Sequence, residues 1–231
     1  MMGRCYRSIM PVSTDHRPAD RARRRRTSEL VAEDLLDAAL VEFAAHGFDG
    51  ASTRAIAARA GWHQPQINYH FASKVALWRA AVDRLFSLLG AAVDADALDL
   101  DDPVEAFRAG VRRFVRFSAD HPELFRIMNL ESTCDSDRLD WLVDRHIRDR
   151  FALVEAAWGA VRAAGAGADL PVADVYQLLI GHGALVFANA PSLRRFAGID
   201  PTADGFVDAH AERLLAILLP PGPSAPTRSR R

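Results

Sequence analysis

One stretch of twenty residues, 52–71, constrains the fold more than any other part of the chain. Within it, Ala57, Gly61 and Ile67 follow one another at spacings of four and six residues. Two helices that cross steeply over a tight turn need a small residue where they touch, a residue free to adopt positive φ, and an apolar side chain from the second helix. The spacing therefore predicts a helix-turn-helix. Three further apolar residues complete the predicted contact between its helices: Ile56, Ala60 and Trp62.

Capping and helix-breaking residues set the predicted helix boundaries around this motif. Gly47 can end a first helix, Ser52 can cap a second, and Gly61 ends that second helix. Pro65 is tolerated in the first turn of a third helix, and Ser73 can cap a fourth. The predicted helices are 29–46, 52–60 and 64–70, followed by a longer one that begins after Ser73 and continues to Asp94.

The remainder of the chain also carries apolar residues at helical spacing. Five further helices are predicted, near 103–119, 122–129, 136–164, 172–190 and 203–219. We therefore expect an all-α protein of about nine helices, with a three-helix helix-turn-helix head at 28–74 and a larger C-terminal helical bundle, the body, at 75–219. Residues 1–27 and 220–231 lack periodicity, and we expect an Arg-rich disordered arm and a disordered tail.

Charge is distributed unevenly between these parts. The net charge of the 231 residues is −1, but residues 1–75 contain 11 basic and 8 acidic residues. The N-terminal third, arm and head together, is therefore basic and the rest of the chain acidic, which favours the N-terminal third as the part that approaches a polyanion. The sequence has neither an apolar run of bilayer length nor the apolar stretch of a secretory signal, and we expect a cytoplasmic protein.

The end of the motif carries a more specific pattern. Tyr69, His70 and Phe71 precede Ser73 and Lys74 at the start of the fourth helix. This arrangement resembles the head of the TetR family, and the similarity extends over residues 30–86. The resemblance implies a regulator with a DNA-binding head and a ligand-binding body that forms a homodimer. Four residues depart from the family pattern and leave the sequence preference open: Trp62, His63, Asn68 and Val75.

The candidate DNA contacts follow from this arrangement. Amide side chains of the third helix suit base edges, and hydroxyl, imidazole and ammonium groups suit phosphates. Lys74 is the only lysine in the chain. It stands at the start of a helix, where the helix dipole disfavours cations. Either a phosphate partner or simple solvation explains its position. The predicted DNA-binding residues are Ser52, Thr53, Arg54, Gln64, Pro65, Gln66, Asn68, Tyr69, His70 and Lys74. The arginines of the arm either contact DNA or are only solvated.

For the body, the resemblance implies a ligand cavity among the middle helices and a dimer formed by the last two. The candidate ligand-binding residues are Phe114, Phe117, Phe125, Met128, Trp141, His146, Phe151, Trp158, Tyr176 and His182. The alternative for each of these residues is a role in the core or at the surface. The small residues Gly181, Gly183 and Ala184 permit close helix approach, either across a dimer or within one chain.

Signatures of other functions are missing from the sequence. It contains no nucleophile elbow, phosphate-binding glycine loop or cluster with metal-ligand spacing, so we expect neither an enzyme nor a metal or cofactor. The leading interpretation is a repressor released from a palindromic operator by a small, largely apolar molecule. The alternatives are a helical small-molecule carrier or enzyme, and a ligand-independent architectural DNA binder.

Overall fold

A computed structural model describes residues 18–94, 101–203 and 205–221, and in these ranges the secondary structure is helical, with no strand. The first four helices are α1 (Pro18–Gly50), α2 (Thr53–Arg59), α3 (Gln64–His70) and α4 (Lys74–Asp94). The body continues with α5 (Pro103–Asp120), α6 (Pro122–Glu131), α7 (Asp137–Leu142), α8 (Arg148–Ala163), α9 (Val172–Leu178), α10 (Leu185–Ala188), α11 (Ala190–Ala197) and α12 (Phe206–Leu218). The predicted all-α architecture, with a helix-turn-helix head on a larger helical body, is confirmed.

The first helix begins earlier than predicted. It starts at Pro18 rather than at residue 29, so the backbone of 18–27 is helical where a disordered arm was expected. Proline suits the first turn of a helix, and adding Arg and Ala residues to a helix that already exists requires no new nucleus. The predicted break at Gly47 is present, with φ 67°. The rest of the arm (1–17), most of the predicted loop after α4 (95–100) and most of the tail (222–231) lie outside the described residues.

Two predicted helices of the body are interrupted by wider, π-helical turns. Val143–Ile147 joins α7 to α8, and Leu179–Ala184 joins α9 to α10. The second interruption contains Gly181 and Gly183, whose low helix propensity weakens a regular helix there. Pro191, predicted only as a separator, lies in the first turn of α11, a short helix that the sequence analysis did not anticipate.

The core of the head is continuous with part of the core of the body, and aromatic contacts join the two. Leu35, Ile56 and Ile67 are buried among α1, α2 and α3. Trp78, on α4, is fully buried and lies between Phe48 at the end of α1 and Trp141 on α7, with ring centroids 6.2 and 5.5 Å apart. Helix α1 also packs against α6. The head is therefore fixed to the body through α4 and its aromatic neighbours.

A second core holds the far side of the body together. Helices α5, α8, α9 and α12 enclose it, and α12 packs against α5 and against the π-helical turn Leu179–Ala184. Gly183 permits this close approach, since an added β-carbon would lie 3.1 Å from a methyl of Leu214. This glycine thus serves packing within one chain. No helix in the described ranges is long and apolar enough to cross a membrane.

Candidate functional site

The helix-turn-helix forms as its spacing predicts. Ala57 and Ile67 are buried at the crossing of α2 and α3, with 2% and 1% of their surface exposed. Gly61 adopts φ 74°, a conformation that side chains with a β-carbon rarely take. The amide of Trp62 donates to the Ala57 carbonyl oxygen at 2.9 Å and closes the turn. The prediction for these residues is confirmed.

Hydroxyl caps and one ion pair stabilise the motif from outside. Ser52 Oγ accepts a hydrogen bond from the Ala55 amide at 3.4 Å, and Ser73 Oγ accepts one from the Ala76 amide at 3.1 Å. Arg59, on α2, pairs at 2.8 Å with Glu42, a carboxylate of α1 that is only 6% exposed. A buried carboxylate requires such a partner. The sequence analysis did not anticipate this pair, which links the motif to α1.

One face of α3 is left free of the head core. Gln64, Pro65, Asn68 and Tyr69 are exposed, whereas Gln66 and His70 are half-buried. Tyr69 is the most exposed large hydrophobic residue of the described chain, at 77%. The side-chain amide of Gln64 donates to Thr53 Oγ1 at 3.3 Å and ties the first turn of α3 to the first turn of α2. This face can therefore meet a partner without disturbing the core.

The remaining predicted DNA contacts flank that face. Ser52 and Arg54 are exposed at the start of α2, and Thr53 is half-buried. Lys74 is also half-buried: its ammonium donates to the Asp49 carbonyl oxygen at 3.3 Å and lies 4.7 Å from the Phe48 ring centroid. Lys74 therefore joins the start of α4 to the end of α1 in the absence of DNA.

The body contains a cavity of ≈ 680 Å³. It lies among α4, α5, α6, α8 and α9, and both π-helical turns contribute to its wall. The volume is within the range of small-molecule sites, about 300–1,000 Å³. Most of the lining side chains are apolar. Four of the ten predicted ligand-binding residues line it: Phe114, Phe125, Met128 and Tyr176.

The other six predicted ligand-binding residues are not among the residues that line this cavity. Phe117 packs on His121, and Phe151 packs on Tyr176, with ring centroids 4.7 and 5.5 Å apart. Trp158 belongs to the second core and donates to the Leu170 carbonyl oxygen at 3.2 Å. The remaining three lie in aromatic and histidine contacts elsewhere: Trp141 beside Trp78, His146 beside Phe86, and His182 beside His210.

The structure adds polar lining residues that the sequence analysis missed: Asn129, Ser132, Arg150 and Gln177. Arg150 carries the only formal charge among the lining residues that the structure describes. Its place could have been found from spacing, because Ile147, Arg150 and Val154 follow at intervals of three and four on one helical face. Arg150 departs from the apolar pattern of this helical face, and that departure marks it as a candidate ligand-binding residue.

The π-helical turn Val143–Ile147 contacts both the cavity and α4. Val143 and Ile147 line the cavity. Between them, His146 lies 2.8 Å from a carboxylate oxygen of Asp83 on α4 and stacks on the Phe86 ring at 4.1 Å. Burial lowers the pKa of His146, opposed by the nearby Asp83 carboxylate. Through His146, the turn that lines the cavity is therefore also in contact with two residues of α4.

Comparison with known proteins agrees with this geometry. Residues 35–81 match the family described as bacterial regulatory proteins, tetR family. The chain is 28% identical over 109 residues to the HTH-type transcriptional repressor NicS of Pseudomonas putida (strain KT2440). That alignment covers 47% of this chain and 51% of NicS, so the chain spans about half the length of this curated relative.

Solved structures establish the likeness of fold over a larger part of the chain. The structure of AibR in complex with isovaleryl coenzyme A and operator DNA superposes with a TM-score of 0.67 at 18% identity, covering 83% of this chain and 99% of AibR. A TetR-like transcriptional regulator from Rhodococcus sp. RHA1 gives a TM-score of 0.61 at 23% identity, covering 81% and 92%. Both likenesses include the head and the body.

Proposed function

We propose that this chain, whose residues 35–81 match the model of the tetR family of bacterial regulatory proteins, is a transcriptional repressor whose binding to operator DNA is controlled by a small molecule in the body. The observation that carries this proposal is the course of α4. It begins beside α3, and its later residues Phe86, Leu89 and Val93 line the cavity. One helix thus connects the DNA-binding face to the ligand site.

In this proposal α3 enters the major groove. The exposed amides of Gln64 and Asn68, with Gln66 behind them, read base edges. Tyr69, His70 and Lys74 contact phosphates on one side of the groove. The start of α2 contacts the backbone on the other side through Ser52, Thr53 and Arg54, and Pro65 lies at the first turn of α3.

We further propose that the protein acts as a homodimer through α12 and the α9–α10 segment, since two copies of α3 are needed to read a palindrome. Apolar side chains remain exposed near these helices: Phe196 at 75%, Ile217 at 47% and Ile199 at 43%. Gly181, unlike Gly183, leaves open space beside its backbone. A second copy that covers these residues would remove apolar surface from water.

The names of similar proteins support repression and the binding of both a ligand and operator DNA. NicS is a transcriptional repressor, and AibR has been solved with both a ligand and operator DNA. In this protein, a ligand that binds more tightly to a body conformation with a tilted α4 would lower DNA affinity. A ligand-independent architectural binder would not need the cavity in the body. A carrier or enzyme that used the head only for packing would not leave one face of α3 exposed.

Footprinting of the DNA around the coding sequence tests repressor and dimer together. We expect a protected, near-palindromic site whose half-sites are about 34–36 Å, one helical turn, apart or a multiple of this distance. Binding should weaken steeply with salt. Protection of a single unpaired half-site would argue against the dimer, and failure to protect any fragment would argue against the repressor.

The connection between cavity and head can be tested without a known ligand. Gly110 lines the cavity, and an added β-carbon there meets nothing within 4 Å. We expect Gly110→Leu, which fills part of the cavity, to lower affinity for the footprinted DNA at least about fivefold, as allosteric couplings of ordinary size do. Gly110→Ala is the matched control, because it makes the same gain in helix propensity without the bulk.

The route of this coupling is tested by adding Asp83→Asn, which keeps the shape of Asp83 but removes the charge beside His146. We expect the double variant Asp83→Asn, Gly110→Leu to recover most of the affinity lost in Gly110→Leu, measured by fluorescence anisotropy on the same DNA. Equal affinities of Gly110→Leu and Gly110→Ala for DNA would contradict the coupling between cavity and head. If the effects of Asp83→Asn and Gly110→Leu on DNA affinity simply add, the coupling does not pass through Asp83.

A further inference from the structure

The cavity is apolar through most of its wall and charged at one place. Phe86, Leu89, Leu124 and Phe125 are buried wall residues contributed by α4 and α6. The described lining contains neither a carboxylate nor a histidine or lysine, and Arg150 is its single charged residue. A cavity of this composition favours a ligand that is apolar over most of its length and negative at one end.

The polar side chains near Arg150 are grouped rather than scattered. Arg150 on α8 and the consecutive residues Tyr176 and Gln177 on α9 all line the cavity, and α8 packs against α9. Burial raises the pKa of the Tyr176 phenol, and the positive charge of Arg150 opposes that rise, which places the two groups within electrostatic reach. A guanidinium, a phenol that stays protonated and an amide together offer several hydrogen-bond donors to one anionic group.

The arrangement also provides an entrance. Arg150 is half-buried, whereas Gln177 on α9 and Leu153 on the next turn of α8 are exposed although both line the cavity. The charged group of a ligand at this place would therefore lie close to solvent while its apolar part extends between α4, α5 and α6. Arg150 also makes an interaction within the chain, but its guanidinium has five N–H donors to share.

We propose that the effector is an amphipathic monocarboxylate, whose carboxylate binds Arg150 and whose aliphatic or aryl part fills the apolar cavity. This inference deepens the proposed function, because it names the class of ligand that the repressor would sense. A neutral apolar molecule of the same length could not form a charge-assisted hydrogen bond with the guanidinium. An amphipathic cation would place two like charges together.

Isothermal titration of the purified full-length protein, without DNA, tests the ligand class. The probes are the straight-chain carboxylates from hexanoate to dodecanoate and 4-phenylbutyrate, each compared with the alcohol of the same skeleton, and decyltrimethylammonium as the cationic counterpart. We expect at least one carboxylate to bind at least about tenfold more tightly than its alcohol, a difference of one charge-assisted hydrogen bond, about 1.4 kcal/mol. Binding of alcohol and carboxylate with equal affinity, or binding of no carboxylate, would overturn the proposal.

The role of Arg150 is tested with charge-removing and conservative variants. We expect Arg150→Gln to weaken carboxylate binding about 30-fold while alcohol binding stays unchanged, and Arg150→Lys to recover part of the loss. Arg148→Gln is the matched control, since Arg148 is exposed on the same helix, pairs with Asp144 and does not line the cavity. An equal loss in both glutamine variants would show a general charge effect and overturn the assignment.

Adding DNA separates this inference from the proposed function. If the best carboxylate binds through Arg150 and also releases the footprinted DNA, both are supported. If it binds through Arg150 but does not release the DNA, the ligand class stands and the proposed control of repression is wrong. If a neutral compound from the series releases the DNA and no carboxylate binds, the repressor stands and the ligand class is wrong.

Discussion

The double variant Asn68→Ala, Tyr69→Ala is expected to bind the footprinted DNA at least about 100-fold more weakly than the parent protein, because it loses one base-edge contact of Asn68, worth about 1–3 kcal/mol, and one phosphate contact of Tyr69, worth about 1.5–3 kcal/mol. Both side chains are exposed on α3, so their removal leaves the buried contact of Ile67 intact. Fluorescence anisotropy at fixed salt measures the loss. The fold is expected to be unchanged by circular dichroism.

The control for this variant is Glu155→Ala, which removes an exposed side chain from α8, far along the chain from the head. It should bind DNA as the parent does. The salt dependence separates the two types of contact, since losing a phosphate contact reduces the slope of affinity against salt and losing a base contact does not. Undiminished affinity in the double variant would remove α3 from the DNA interface.

Of the variants proposed here, Ile67→Ala is expected to lower the free energy of unfolding most. Ile67 is 1% exposed and is the apolar residue by which α3 packs onto α1 and α2. Replacing a buried isoleucine with alanine costs about 2–5 kcal/mol, because the lost transfer free energy adds to that of the cavity left behind. Urea denaturation followed by tryptophan fluorescence measures the change, with Trp62 and Trp78 both in or beside the head.

Val41→Ala is the comparison for this variant. Val41 is an apolar residue of α1 that is 46% exposed, so its truncation should change the free energy of unfolding by no more than about 0.5 kcal/mol. A decrease for Ile67→Ala as small as that for Val41→Ala would mean that the helix-turn-helix does not depend on the contact that its spacing predicts.

The head could be predicted closely because its signals are local. The bounds of α3, 64–70, follow from Gly61 in the turn and Pro65 in the first helical turn, and the start of α2 follows from the hydroxyl of Ser52. Each of these effects depends on a few neighbouring residues. The pair Glu42–Arg59 was not predictable in this way, since it joins residues 17 positions apart on different helices.

The ligand cavity was harder to predict because it depends on which helix faces meet across the body. Phe114 and Phe117 lie one turn apart on α5 and look equivalent in sequence, yet Phe114 lines the cavity and Phe117 packs on His121. The spacing of aromatic side chains predicts which face of a helix points inward, but it does not predict whether that face borders a packed core or a cavity. Arg150 is more informative, because a charged residue between the apolar residues Ile147 and Val154 on one helical face departs from the ordinary pattern of a core-facing helix.

The position of Lys74 has a practical consequence for chemical labelling. Every other basic side chain of the chain is arginine, so an amine-reactive dye has this one side-chain target besides the α-amine. The target lies where α1 ends and α4 begins, held by the Asp49 carbonyl oxygen and the Phe48 ring. Labelling of this amine therefore places a spectroscopic reporter at the junction of α1 and α4, without engineering any residue.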